Sequence, residues 1–151
     1  MRPDDALHDA LVRTSFRMMA VLTRIGAGHD LSLTQLRLLG LLRDRRPRMT
    51  ELAAFLGLDK STMSGLVERA ERRGLVARGK SSEDRRVVDV FITPEGRELA
   101  ERVQEEIRSA LAPYTDRLAP DDRPALTRLL DAVSGTTTGN HGITGSSDAS
   151  P

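Results

Sequence analysis

The chain has 151 residues, a hydrophobic content of 38% and a formal net charge of +1. This length supports one domain with its own core and is too short for two full ones. The absence of cysteine excludes disulfides, thiolate metal sites and thiol redox sensing. The charged start lacks the pattern of a signal peptide, and no stretch approaches the roughly 18 apolar residues of a membrane span. We therefore expect a soluble protein located in the cytoplasm.

The charged residues are unevenly distributed along the chain. Residues 43–86 contain 12 Lys and Arg against 7 Asp and Glu, so this segment carries a surplus of +5 and the rest of the chain carries −4. A separation of this kind favours one face that binds a polyanion. The alternative is a patchily charged surface without such a partner.

Two helices are predicted first. Apolar residues at three- and four-residue spacing predict a helix from Asp4 to about Ala27. A second helix follows Ser32, which can cap it with Gln35 in a capping box. Pro47 is expected to end this helix.

The next segment predicts a helix-turn-helix. A short helix is expected over 51–55, with Thr50 as its N-cap and Gly57 at its end, and a second helix over 59–73, capped by Asp59. Two short helices joined by a glycine-containing turn are typical of this motif. The residues predicted to form the interface between the two helices are Leu52, Leu56, Leu58, Met63, Leu66, Val67 and Ala70.

A polar turn between two β-rich segments predicts a hairpin. The segments read "LVARGK" and "VVDVFI", and the turn "SSEDRR" carries Asp84, Arg85 and Arg86. Thr93 and Pro94 then form a strong helix start.

Two further helices and a tail are predicted after the hairpin. The first helix runs from Pro94 to about Ala112, followed by a break between Pro113 and Pro120 and by a last helix over 124–133. A narrow apolar stripe on the first of these helices favours packing against another helix, either of a second copy or of the same chain. The stripe consists of Leu99, Val103, Ile107 and Leu111. Residues 134–151 are rich in small polar residues and predict a disordered tail.

Helix, helix-turn-helix and hairpin in this order are typical of a winged helix. A recognition helix fits the major groove of duplex DNA, and the hairpin beside it would lie over the neighbouring backbone or minor groove. An arginine at the hairpin tip suits that environment. We expect the Asp84 carboxylate to hold the guanidinium in one pose through bidentate pairing. The alternative is a solvated turn with charges for solubility.

Three stretches of the sequence resemble the MarR (multiple antibiotic resistance regulator) family of winged-helix transcription factors. They read "LSLTQLRLLGLL", "MTELAAFLGLDKSTMSGLVERAERRGLVAR" and "SSEDRRVVDVFITPEGREL" and cover about residues 30–100. The most specific pieces are the Asp-x-Arg of the wing, Asp84 and Arg86, the exit from the second wing strand over 92–96 and the "RGLV" at 73–76.

The resemblance implies which residues contact DNA. Arg86, with Arg85 beside it, would reach the minor groove, positioned by Asp84. Many relatives carry an arginine where Gly65 stands, so we expect this chain to depend more on DNA shape and the wing than on a direct base contact from that position. The recognition helix, 59–73, would supply phosphate or base contacts from Lys60, Ser61, Thr62, Ser64 and Arg69.

The resemblance also implies a homodimer, built from the first helix and the last two, which would bind a pseudo-palindromic operator. The residues expected at this interface are Leu7, Leu11, Leu99, Val103, Ile107, Leu111, Leu126, Leu129 and Leu130. We therefore predict a mainly α-helical fold with a small β-hairpin wing, a winged helix-turn-helix with a helical dimerisation region. Residues 1–133 would form one domain, with the DNA-binding lobe at 30–93 and the dimerisation region at 4–27 and 94–133.

The predicted function is that of a sequence-specific DNA-binding regulator, a ligand-responsive homodimeric repressor. A small-molecule effector of unknown identity would bind between the dimerisation helices and the DNA-binding lobe, near Met18 and Met19. No cofactor or metal is expected, because His8, His29 and His141 are scattered, and an enzyme is disfavoured because no phosphate loop or nucleophile motif is present. The alternative function is a protein-interaction module that kept the winged helix without binding DNA.

Overall fold

The computed structural model describes residues 2–135, and these form six helices and a two-stranded sheet. In chain order the elements are α1 (Asp5–Gly28), α2 (Leu33–Leu42), α3 (Met49–Leu56), α4 (Lys60–Arg72), β1 (Val76–Lys80), β2 (Val88–Ile92), α5 (Pro94–Thr115) and α6 (Asp122–Ser134). The predicted winged-helix fold is confirmed. None of the helices in this part of the chain is long and apolar enough to cross a membrane. The tail predicted at 134–151 lies outside the described residues except for Ser134 and Gly135.

The predicted caps of α2 and α4 are confirmed. The Ser32 hydroxyl accepts a hydrogen bond from the Gln35 N–H at 3.1 Å, and the Gln35 side-chain oxygen accepts one from the Ser32 N–H at 2.8 Å, which completes a capping box. Asp59 caps α4 by accepting from the Thr62 N–H. Gly57, in the left-handed conformation, ends α3 as expected.

The predicted start of α3 is wrong by two residues. The helix begins at Met49, so Thr50 lies in its first turn and is not the N-cap. The N-cap is Arg48, whose N–H donates to the Glu51 carboxylate at 3.3 Å. The acid therefore satisfies a free N–H at the helix start from within the helix.

The predicted break after Ala112 is also wrong, because α5 continues through Pro113 to Thr115. Proline has no N–H, and at this position the helix loses one backbone hydrogen bond. The loss falls in the last turn, where the Asp116 N–H still donates to the Ala112 carbonyl at 2.8 Å. The last helix begins at Asp122, two residues before the predicted start.

One hydrophobic core joins the helices to the base of the hairpin. α1 and α2 each pack against α5, and α3 packs on α4. Leu38, Leu52, Met63 and Val90 have no exposed surface and belong to one cluster, so α2, α3, α4 and β2 all contribute to its centre. The residues predicted to form the interface within the helix-turn-helix lie in this core, with Leu58 only partly buried.

The apolar stripe of α5 packs within its own chain. Leu99 and Val103 are buried in the core, and Ile107 and Leu111 are partly buried against it. The expectation that all four contact a partner is therefore wrong for Leu99 and Val103, for which the intrachain alternative holds. The physical reason is that α1 and α2 already pack on α5.

The hairpin is attached to the helix-turn-helix along one edge. β1 and β2 pair antiparallel along their full length. The segment before α3 runs beside the other edge of β2, where the Val90 N–H donates to the Pro47 carbonyl at 2.9 Å and Arg48 forms an isolated bridge with Asp89. This edge contact fixes the base of the wing to the start of α3.

The segment after α4 is joined directly to the start of α5. The Thr93 hydroxyl accepts from the Gly96 N–H at 3.0 Å, which caps α5, and donates to the Gly74 carbonyl. The Thr93 N–H donates to the Leu75 carbonyl at 3.1 Å. Gly96 packs so closely that any side chain there would overlap the Leu75 carbonyl. The recognition helix and α5 are therefore coupled through this junction.

Candidate nucleic-acid interface

The residues of α4 that are predicted to contact DNA lie on its accessible side. Lys60, Ser61, Thr62 and Arg69 are exposed, and Ser64 is partly exposed. The other side of α4 is held in the core by Met63, Leu66, Val67 and Ala70. The helix is thus fixed by its apolar side while its polar and cationic residues remain available to a ligand.

Asp59 organises the first turn of α4. One of its carboxylate oxygens accepts from the Thr62 N–H at 2.7 Å and from the Ser61 hydroxyl at 2.9 Å. The pKa of Asp59 is lowered, chiefly by the backbone hydrogen bond from Thr62 and then by the side-chain hydrogen bonds from Thr62 and Ser61. The Ser61 hydroxyl proton is already engaged by this cap, so Ser61 would have to give up that bond to donate to a phosphate.

Gly65 leaves space that Arg69 partly fills. A Cβ atom at Gly65 would lie 3.4 Å from Arg69 Nη1, so the guanidinium lies close to the surface that a side chain at position 65 would occupy. Residues four apart share a side of a helix. Arg69 therefore brings a cation to the surface near Gly65 from one turn further along α4.

The wing tip carries an arginine that is exposed and held in place. The Asp84 carboxylate accepts from the Arg86 backbone N–H at 3.0 Å, and the same oxygen lies 3.4 Å from Arg86 Nε. The Arg86 side chain is nevertheless 93% exposed. The expected pairing is present, but through one oxygen and Nε and not in the bidentate form. Arg85 is exposed next to it and has no ion-pair partner among residues 2–135.

Sequence reasoning missed a second aspartate–arginine pair at the base of the wing. Arg46 Nε lies 3.4 Å from the buried Asp89 carboxylate, and the guanidinium stacks 4.2 Å from the centre of the Phe91 ring. Gly79 faces this arginine, because a Cβ there would approach Arg46 Nη2 to 3.2 Å. The charged Asp89 within an otherwise apolar strand was the available signal, since a buried charge needs a partner.

A cavity of about 220 Å³ lies between α1, α2 and α5. Its lining is mainly apolar, and the only charged side chains in it are Arg37 and Arg43. Met19 lines this cavity whereas Met18 does not, so one of the two methionines named from the sequence is placed there. The lining residues are Met19, Leu22, Leu33, Leu36, Arg37, Leu39, Gly40, Arg43, Ala100, Val103, Gln104 and Ile107.

The two histidines in the described residues do not form a metal site. His29 Nε2 lies 2.8 Å from the Glu106 carboxylate and links the turn after α1 to α5. His8 is exposed on α1. Between residues 2 and 135, no group of three His, Asp or Glu side chains could hold a metal ion.

Apolar side chains are exposed on α1 and along the whole of α6. α6 has no buried residue, and Leu126, Leu129 and Leu130 on it are all exposed. On α1, Leu7 is exposed and Leu11 is partly exposed. Exposed apolar faces of this kind are typical of surfaces that bind another protein.

Comparison with known proteins gives consistent matches. The family model described as "MarR family" matches residues 29–87. The chain is 30% identical over 124 residues to the uncharacterized HTH-type transcriptional regulator YfiV of Bacillus subtilis, covering 77% of this chain and 78% of that one. It is also 30% identical over 129 residues to the homoprotocatechuate degradative operon repressor of Escherichia coli, covering 84% and 86% of the two chains.

A solved structure shares the fold over nearly the whole chain. BpsR of Bordetella bronchiseptica, whose DNA binding is regulated by 6-hydroxynicotinic acid, is 26% identical and superposes with a TM-score of 0.72. The match covers 91% of this chain and 99% of BpsR.

Proposed function

Since the chain belongs to the MarR family of transcriptional regulators, we propose that it is a homodimeric repressor that binds a pseudo-palindromic operator and releases it when a small molecule binds. The family and the relatives named above are regulators and not enzymes, and we propose no catalytic activity. A repressor works where the DNA is, so the proposal places it in the cytoplasm.

The observation that carries this proposal is the wing tip. Arg86 is 93% exposed, yet its backbone and its Nε are both held by Asp84. An arginine fixed in this way loses less side-chain entropy when it enters a groove of DNA. We propose that residues 30–93 form the DNA-binding lobe. Its contacts would come from Lys60, Ser61, Thr62, Ser64, Arg69, Asp84, Arg85 and Arg86, with Asp84 acting by positioning.

The exposed apolar faces support the dimer. No residue of α6 is buried in its own chain, and a second copy would bury its apolar face together with that of α1. Because Leu99 and Val103 are buried, the proposed interface uses Leu7, Leu11, Leu126, Leu129 and Leu130, with only the partly buried Ile107 and Leu111 contributed by α5. The dimerisation region remains 4–27 and 94–133.

The cavity supports the response to a ligand. It lies where α1 and α5 of the dimerisation region meet α2 of the DNA-binding lobe, so a molecule in it contacts both parts. The relative from Escherichia coli is a repressor, and the DNA binding of BpsR responds to a small acid. We propose the same kind of control for this chain.

Binding to duplex DNA at several salt concentrations tests the proposal. Footprinting on the DNA that flanks its own gene would locate the operator, and fluorescence anisotropy would then give the affinity. We expect log K to fall linearly with log salt, with a slope of about −0.9 for each phosphate contacted. No binding at low salt, or a slope near zero, would instead indicate the alternative, a winged-helix module that binds a protein.

A further inference from the structure

We infer that Arg37 couples the cavity to the recognition helix, because the acidic group of an apolar anion bound in the cavity would take its guanidinium from the Phe55 carbonyl. Arg37 lines the cavity, and its Nη2 donates to the Phe55 carbonyl at 3.1 Å. The inference rests on the proposed ligand response and names the residue that transmits it.

The composition of the lining indicates the charge of the ligand. Both charged side chains are arginines, Arg37 and Arg43, and no acidic residue lines the cavity. The remaining surface is almost entirely apolar. A ligand that fills this space and satisfies its polar groups is an apolar molecule with one acidic group, since an apolar surround strengthens the attraction between the guanidinium and an anion.

The hydrogen bond from Arg37 satisfies a carbonyl at the end of α3. The last carbonyls of a helix have no partner within it. At the end of α3 the Ala54 carbonyl accepts from the Gly57 N–H and the Ala53 carbonyl from the Leu58 N–H, at 3.2 and 3.0 Å. The Phe55 carbonyl accepts from Arg37 instead. Arg37 therefore holds the turn that leads into Asp59, the N-cap of the recognition helix.

The two ends of α4 are held differently. Arg73, at the C-terminal end, donates to the carbonyls of His29 and Asp30 at 2.9 and 2.8 Å, and the following residues are joined to α5 through Thr93. The N-terminal end follows directly from the turn that Arg37 holds. Loss of the Arg37 bond would consequently move or loosen the end of α4 that carries Lys60, while the other end stays fixed.

A ligand anion would compete for Arg37 with a neutral carbonyl. The guanidinium is charged in both bonds, but only the bond to an anion adds the attraction between two full charges, and this attraction is strengthened by the apolar surround. The anion would therefore draw the guanidinium into the cavity and leave the Phe55 carbonyl without its partner. A ligand shifts a conformational equilibrium only through such a difference between the two states.

The test uses anilinonaphthalene sulfonate as the anionic probe and N-phenylnaphthylamine as a matched neutral probe. Fluorescence reports occupancy, hydrogen exchange reports protection of the amides over 57–63, and anisotropy reports operator affinity. In the wild type we expect the anion to raise exchange in this segment and to weaken operator binding at least about fivefold. The neutral probe should bind without either effect.

Arg37→Met and Arg43→Met form a matched pair, because each removes one cavity cation. Arg37→Met should show raised exchange and weaker operator binding before any probe is added, and no further change on adding the anion. Arg43→Met should bind the anion more weakly but respond like the wild type at saturation. Arg37→Lys keeps the charge and should retain part of the response.

Four results would overturn the inference. They are no binding of the anion, an anion affinity that neither methionine variant changes, bound anion without raised exchange over 57–63, and an Arg37→Met variant that still responds like the wild type. The exchange arm uses no DNA. Failure of the wild type to bind duplex DNA would therefore contradict the proposed function, but hydrogen exchange over 57–63 would still test the link between Arg37 and the turn.

Discussion

Two aspartates in the DNA-binding lobe hold neighbouring groups in place. Asp84 fixes Arg86 at the wing tip, and Asp59 fixes the first turn of α4 through Thr62 and Ser61. Each carboxylate is close to a surface proposed to meet phosphates, where its own charge is unfavourable. We therefore expect both carboxylates to act by ordering the groups around them, and substitution of each aspartate tests this.

Arg86→Ala should weaken operator binding at least tenfold, by roughly 1–3 kcal/mol, and leave the dimer intact. The side chain is exposed, so its loss costs little in folding. Anisotropy with operator DNA gives the affinity. Arg85→Ala is the matched control, since it removes the same charge from a side chain that no aspartate holds, and we expect a smaller loss. Equal losses would show that net charge alone matters at the tip.

Asp84→Ala should also weaken operator binding, by about 0.5–1.5 kcal/mol, because an unheld arginine must be ordered when DNA binds. Simple electrostatics predicts the opposite sign, since the substitution removes a negative charge. Asp84→Asn retains an acceptor for the Arg86 N–H, so its operator affinity should lie between those of the wild type and Asp84→Ala. Tighter binding by the alanine variant would exclude the positioning role.

Asp59 should contribute to stability in a pH-dependent way. Its folded-state pKa is below the ordinary value of an aspartate, so its stabilisation is present above that ordinary value and is lost as pH falls through the folded pKa. Asparagine can cap a helix without a charge. The difference in unfolding free energy between wild type and Asp59→Asn should therefore shrink as the pH is lowered from 5 towards 3, as measured by denaturant titration. A difference that does not change with pH would show that the charge is irrelevant to the cap.

At the scale of elements, local chemistry decides most boundaries. Ser32 and Gln35 form the capping box that their spacing predicts, and Gly57 ends α3 in a left-handed conformation. Gly65 is different, since it lies in the middle of α4 and a Cβ there would meet only Arg69 at ordinary contact distance. It weakens the helix without a steric need.

Gly65→Ala should stabilise the protein by about 0.5–1 kcal/mol, because alanine loses less backbone entropy in a helix. Thermal and denaturant unfolding would measure the gain. Gly57→Ala is the contrasting control, and it should destabilise because its φ of 65° strains a residue with a side chain. If both variants lose stability, Gly65 has a packing role that its open surroundings do not reveal.

Much of the fold could be predicted because its signals are local. Caps, glycines and periodicity identified all six helices and the hairpin of the described residues. The start of α3 could not be predicted, because it depends on Glu51 reaching back to Arg48, where no usual cap residue stands. The continuation of α5 through Pro113 could not be predicted either. Pro113 lies in the last turn, where its missing N–H costs the helix only one backbone hydrogen bond.

The candidate site was predictable only where it is local in sequence. Asp84 and Arg86 are two residues apart, and their pairing follows from that spacing. Arg46 and Asp89 are separated by 43 positions, and no sequence pattern relates them. The cavity likewise brings together α1, α2 and α5, which are distant in the sequence. The α5 stripe was ambiguous for the same reason, since periodicity shows that a face is apolar but not which helix covers it.

At the scale of the whole molecule, exposed apolar surface is concentrated on α1 and α6, and α6 is the clearer case. That helix has no buried residue although its sequence is amphipathic. Isolated helices of this length are marginal in water. Its stability in the folded protein therefore depends on a surface that the described residues of one chain do not provide, and the proposed dimer supplies it.

Leu129→Glu should convert the proposed dimer to a monomer at micromolar concentrations, because it places a charge in the proposed apolar interface. Sedimentation velocity would show the change, and operator binding should fall with it. Val88→Glu is the matched control, since Val88 on the wing is exposed to a similar degree, 43% against 53% for Leu129. A Leu129→Glu variant that remains dimeric would remove α6 from the interface.

The absence of a side chain at Gly96 also bears on which half-site spacing the proposed dimer can bind. The α5 backbone packs directly against the Leu75 carbonyl, so α5 cannot shift independently of the segment that follows α4. In the proposed dimer, a small tilt of α5 would therefore change the distance between the two α4 helices. Unless α5 tilts, that distance would be nearly constant, so extra base pairs between half-sites would be poorly tolerated.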